Sequence, residues 1–142
     1  RNQARQSSSG ATSLPQSSYD RGLKKRAAAA APTALPKIIR RRSAISGWGV
    51  YAAQTIEPDT RIVEYKGELV RTAEAYEREA RYLKRKRIWT FWVNNRWARE
   101  AAFGGNIARY VNHACKPNCY TDVIGHEVWI FAERRIKKGE EL

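Results

Sequence analysis

Three observations predict a mainly β fold with one inserted helix. Short apolar runs at residues 50–53 and 62–65 are punctuated by the turn formers Glu57-Pro58-Asp59 and Lys66-Gly67. One stretch after Thr72 carries helical spacing, with Tyr76, Ala80 and Leu83 at i, i+4 and i+7. Two later runs, "IWTFWV" and "HEVWIFA", are aromatic and β-branched, and in the second Val128 and Ile130 alternate with Trp129 and Phe131, which suits strands with a buried face.

Taken in order, residues 1–36 are Gln/Ser-rich and then Ala/Pro-rich, with almost no side chains that build a core, and they are expected to be a disordered basic tail. The cluster Arg40-Arg41-Arg42 abuts the start of the ordered pattern and reads as a solvated tail, a nuclear-import signal or a phosphate-contacting arm. Strands follow at 50–53 and 62–65. Thr72 can then cap a helix running to about residue 87, supported by Glu74/Arg78 and Glu77/Arg81 at i, i+4 spacing and by a basic "KRKR" end that suits the helix dipole. Ile124-Gly125-His126 forms a hairpin tip before the last predicted strand, and no internal repeat is visible.

The chain has 142 residues, 42% of them hydrophobic, which fits one domain with a real core. Its formal charge is +13, but residues 1–42 hold ten Lys/Arg against the single acid Asp20, so the basicity belongs mainly to the tail. That distribution allows a small nucleic-acid-binding protein as one reading. No apolar run is long enough to span a membrane and no leader pattern opens the sequence, so an intracellular protein with two reduced cysteines is expected.

The densest chemistry lies in "RYVNHACKPNC", residues 109–119. A zinc site would use His113, Cys115 and Cys119 but lacks a fourth ligand and the paired spacing of structural sites. A Cys-His nucleophile lacks a third group to orient it.

This segment occurs in order with "SAISGWGVYAAQTI" at 43–56, "IVEYKGELV" at 62–70 and "IFAERRIKKGEEL" at 130–142. Together these motifs resemble the SET domain of protein-lysine methyltransferases, over residues 37–142, and in particular the branch that methylates histone tails. The resemblance implies small β-sheets around a C-terminal pseudoknot, S-adenosylmethionine as methyl donor, and a protein or peptide lysine as acceptor. It further implies that Gly47-Trp48-Gly49 and Asn112-His113 contact the cofactor. Tyr65 would be the catalytic tyrosine of the lysine channel, and Trp89, where the family usually has a tyrosine, another channel wall with Tyr120 beside it. Glu100 takes the place of a usual aspartate, and Arg109, Asn106, Pro117 and Asn118 frame the loop. In the family, "GEEL" leads into a further channel tyrosine and a cysteine-rich post-SET segment. Those are not in this sequence, so Cys115 is a zinc ligand only if such a segment follows, and a catalytically silent SET-like binding module is the alternative reading. The resemblance implies a nuclear location in a eukaryote, and the cytoplasm or nucleoid in a bacterium.

Overall fold

A computed structural model of the chain describes residues 34–84 and 88–142. The predicted tail therefore lies outside the described residues except for 34–36, as do residues 85–87 at the expected end of the helix. The described part is built from a two-stranded ribbon, two three-stranded antiparallel sheets and one α-helix.

The ribbon pairs β1 (Ile38–Arg42) with β2 (Trp48–Ala52), in a register running from Ile38 opposite Ala52 to Arg42 opposite Trp48. The arginine cluster is thus an ordered strand and not part of a solvated tail. Its stability has a visible cause, since the guanidiniums of Arg40 and Arg42 lie 4.6 and 4.3 Å from the centre of the Trp48 ring. Gly47, at φ 50°, supplies the left-handed residue on which the chain turns back into β2.

The second sheet has the order β3-β8-β7, with β3 at Arg61–Glu64, β7 at Cys119–Ile124 and β8 at Glu127–Ala132. Ile124 pairs with Glu127, so Gly125 and His126 are the two turn residues, as the sequence predicts. Val128, Ile130 and Ala132 point into the core and meet Val50, Ile56 and Ile62 there. Each fully buried aliphatic side chain of this kind contributes about 1.5–3 kcal/mol.

The third sheet has the order β4-β6-β5, with β4 at Glu68–Arg71, β5 at Thr90–Trp92 and β6 at Trp97–Glu100. Helix α1 (Thr72–Leu83) packs on it, but not by the face that periodicity suggested. Tyr76 is 63% exposed and Leu83 52%, and Ala75 is the residue that turns inward. The reason is the buried Glu100 carboxylate beneath the helix, which requires Arg78 on the inner face at 3.1 Å. Arg78 also pairs with Glu68 and, at i, i+4, with Glu74. Thr72 is the first helical residue and Arg71 stands at the cap position without a side-chain bond, while the Thr72 hydroxyl donates to the Asn95 carbonyl at 3.3 Å.

The C-terminal residues close the fold by threading. Amide groups of Ala52 and Leu142 donate to the carbonyls of Glu140 and Val50 at 2.9 and 2.8 Å, laying residues 139–142 along β2. Asn118, buried in the loop ahead of β7, holds the same segment through a 2.7 Å bond from its amide to the Glu141 carbonyl. Chains rarely pass one segment beneath a loop in this way.

Candidate active site

The loop between β6 and β7 brings together residues far apart in sequence. Asn106 starts it: its amide donates to the Glu64 carbonyl at 2.8 Å, and its carbonyl oxygen caps the short 3₁₀ helix Ile107–Tyr110 through the Ala108 amide. That bond fixes the loop beside the end of β3, where Tyr65 follows.

Tyr65 is almost wholly buried, with its ring 4.6 Å from Phe91 and its hydroxyl donating to the Trp89 carbonyl at 2.9 Å. Burial, reinforced by the Glu100 carboxylate and opposed by Arg109, pushes that hydroxyl well above the ordinary phenol range. It therefore stays protonated and donates its hydrogen bond across the physiological range. Trp89 is half-buried, with the Arg109 guanidinium 4.5 Å over its ring and Tyr82 edge-on at 5.3 Å. Tyr65 is thus tied to the Trp89 backbone, while the rings of the two residues pack on Phe91 and Tyr82 respectively. Tyr120 does not join them: its ring stacks on Phe131 at 5.3 Å, on the face of the β7–β8 pair opposite the core. Alternation along β7 decides this, because Tyr120 is opposite Phe131 while Thr121 is opposite the buried Ile130.

Beyond the 3₁₀ helix, the Asn112 amide nitrogen is surrounded by three acceptors: the Glu141 carboxylate at 2.8 Å, the Trp48 carbonyl at 3.1 Å and the Ser43 hydroxyl at 3.2 Å. Tyr51 donates to the other Glu141 oxygen at 2.8 Å. Burial acts to raise the Glu141 carboxyl, but the bonds from Asn112, Ser43 and Tyr51 outweigh it and hold the group below its usual range. The glycine motif is built around the same carboxylate. A Cβ at Gly49 would lie 2.1 Å from Glu141 Oε1, whereas one at Gly47 would meet nothing within 4 Å. The close approach that Gly49 permits is therefore to Glu141, and open space lies at Gly47. Trp48 stands between them, partly exposed between its two arginines.

Two clefts flank this loop. One, of about 380 Å³, is lined by Arg40, Gly105, Asn106, Ile107, Arg109 and Tyr110. The smaller, on the far side, includes Asn112, Asn118, Arg134 and Leu142. The Nε of Arg109 is buried and makes no hydrogen bond.

His113 and Cys115 are exposed, and Cys119 is half-buried with its thiol pushed up to about 12, chiefly by burial. A thiol so raised is protonated at neutral pH and a poor nucleophile. Among the described residues no group of three or more His, Cys, Asp or Glu side chains is placed to hold a metal ion. Zinc does not fit what is present, since a closed site needs four ligands.

Sequence reasoning did not find Arg40, Tyr51 or Glu141. Their roles depend on β1 being a strand and on the last residues lying against β2, and neither pairing leaves a local pattern.

The same fold recurs in known proteins. The SET domain family model matches residues 47–142, and the chain belongs to the SET-domain family. It is 42% identical over 106 residues to histone-lysine N-methyltransferase trr of Drosophila melanogaster and to histone-lysine N-methyltransferase 2D of Homo sapiens, in each case over 71% of this chain. It spans only 4% and 2% of those relatives. Among solved structures, ctPRC2 in an autoinhibited conformation bound to S-adenosylmethionine is 31% identical with a TM-score of 0.69, over 77% of this chain and 15% of that one. The structure of ctPRC2 in complex with H3K27me3 and H3K27M gives 30% and 0.69, over 77% and 14%.

Proposed function

We propose that the chain is the catalytic domain of a protein-lysine N-methyltransferase, taking a methyl group from S-adenosylmethionine to a lysine of a protein such as a histone. The observation that carries this reading is the bond of buried Tyr65 to the Trp89 carbonyl together with the Asn112–Glu141 bond, in a chain 42% identical to histone-lysine methyltransferases.

The residues present fit S-adenosylmethionine. Arg40 and Arg109 line the larger cleft and offer guanidinium nitrogens to its carboxylate. Gly47, Trp48 and Gly49, with Asn112 and His113, are assigned to the rest of the cofactor. When bound, it supplies an electrophilic methyl group that an amine takes by in-line displacement.

The chain's own part is to position and desolvate that amine. Aromatic rings of Tyr65, Phe91 and Trp89 exclude water, and that desolvation lowers the pKa of an entering lysine and favours delivery of a neutral Nζ. Tyr65 donates to the Trp89 carbonyl and so keeps the channel backbone fixed.

A nuclear location follows from this reading in a eukaryote. The six Lys/Arg of the tail, residues 1–36, are the groups to contact DNA phosphates weakly there. The family resemblance leaves Cys115 as one zinc ligand on condition that a cysteine-rich post-SET segment follows.

The test is methyl transfer from tritiated S-adenosylmethionine to recombinant histone H3, with the cofactor's Kd measured by calorimetry. Label is expected in a lysine, with kcat reduced at least about tenfold in Tyr65→Phe, as for loss of one positioned catalytic group. Cofactor binding with no label in any histone would sink the enzyme reading.

A further inference from the structure

The outward face of the β3-β8-β7 sheet has no part in the site above. Register places Tyr120, Asp122 and Ile124 of β7 directly opposite Phe131, Trp129 and Glu127 of β8, all on the side away from the buried Val128 and Ile130. Across the sheet, Arg61 is opposite Phe131 and Glu64 opposite Trp129.

Three aromatic rings therefore form a continuous stripe bordered by carboxylates. Tyr120 stacks on Phe131 at 5.3 Å and its hydroxyl meets Asp59 at 3.3 Å. Trp129 donates its indole N–H to Glu127 at 2.8 Å, with Asp122 on one side of it in the register and Glu64 on the other. Asp122 and Glu127 are exposed. The chain itself shows what the rings accept, because the Arg61 guanidinium lies 4.7 Å from the Trp129 ring centre and 5.7 Å from that of Phe131.

Charge sets this face apart. From residue 43 onward basic residues outnumber acidic ones by 17 to 13, yet Asp59, Glu64, Asp122 and Glu127 border these rings, with Glu64 paired to Lys66 at 3.7 Å. A basic domain that gathers acids around a half-buried aromatic stripe offers basic segments a patch whose charge is opposite to its overall one.

We propose that this sheet face is a docking surface for a lysine- and arginine-rich peptide segment of a partner protein, separate from the methyl-transfer site. The partner's cations extend the arginine–aromatic stack that Arg61 begins, and they pair with Asp122 and Glu127 at the edge. Neutral or acidic segments gain no such pairing.

The experiment titrates the intact chain with a fluorescein-labelled ten-residue peptide of alternating arginine and glycine, which carries no lysine for the methyl-transfer site to accept. Anisotropy reports the affinity, and ¹⁵N spectra follow the Trp129 indole N–H, identified by its loss in Trp129→Phe. Expected is salt-sensitive binding that shifts the Trp129 indole signal and weakens about tenfold in Asp122→Lys/Glu127→Lys, whose substitutions are both exposed and leave the core intact. A second variant, Asp122→Asn/Glu127→Gln, is expected to fall between, with an unchanged melting temperature. Absence of binding, a stationary Trp129 signal during binding, or equal affinity for the charge-reversed variant each overturns the proposal.

Discussion

Oε1 of Glu141 lies 2.8 Å from the amide nitrogen of Asn112, and it occupies the space that a side chain at position 49 would fill. One carboxylate thus ties together the C-terminal segment, the β1–β2 ribbon and the loop that carries Asn112. The two glycines of the turn should consequently fail in different ways. Gly49→Ala drives a methyl into Glu141 and must displace it, at about 1–3 kcal/mol as for overpacking, together with loss of cofactor affinity. Gly47→Ala meets open space and costs only the left-handed conformation, about 1–2 kcal/mol. Urea unfolding gives both costs, and calorimetry with S-adenosylmethionine separates them. Equal cofactor affinity in the two variants would contradict the carboxylate's role.

Asn112→Asp preserves shape and replaces the donor facing Glu141 with a second carboxylate. In the native chain Glu141 is held below its usual range, so its contribution is present above the unfolded carboxylate pKa and lost as pH falls through the folded value. Two facing carboxylates reverse that sign, because they are easiest to bury when sharing a proton. The variant's melting temperature should therefore rise as pH drops from 8 to 5, while that of the native chain does not. Parallel pH profiles would refute the direct contact.

What was legible in the sequence and what was not divides along chain separation. The strands around Val50, Ile62 and Val128 and the turn at Gly125 follow from local alternation and turn chemistry, and the structure has them. The strand Ile38–Arg42 was missed because three consecutive arginines look like a tail until Trp48 is placed between two of them. The inner face of α1 was misjudged because Arg78 turns inward only in response to Glu100, 22 residues later. Tyr65, Trp89 and Asn112 are named from the family motif and not from spacing. Tyr120 is named from its place after the cysteines, and proximity in sequence says nothing about the side of the strand its ring takes, which is that of Phe131.

Acid should loosen the threaded C-terminus at a second carboxylate. The Arg134 guanidinium, opposed by partial burial and helped by the Lys137 amide and Asn118, holds Glu140 down at about 2. Since the folded value is depressed, the stabilisation is fully present above the unfolded value near 4.5 and disappears as pH falls from there towards about 2. Melting temperature should decline over that window, and Glu140→Gln should flatten the decline while lowering stability at pH 7. Because Arg134 is half-exposed, 0.5 M salt should also reduce the difference between the two proteins. An unchanged acid profile in Glu140→Gln would rule this contact out as the cause.

The buried Glu100 makes the strongest energetic prediction. Its side chain is fully inaccessible, it accepts from the Ala102 amide at 2.7 Å, and its only ion-pair partner among the described residues is Arg78 of α1. Arg78→Ala removes that partner and leaves an uncompensated charge under the helix, which costs about 3–5 kcal/mol in comparable buried pairs. Replacing the pair by apolar residues of similar size, as Arg78→Met with Glu100→Leu, removes the stranded charge and should restore much of that loss, although Ala102 N–H then goes unpaired at about 1–3 kcal/mol. The double-mutant cycle in urea measures the coupling directly. A coupling near zero would mean that α1 is held by Ala75 and the Tyr76–Trp92 stack rather than by charge, and that the helix face is set by packing after all.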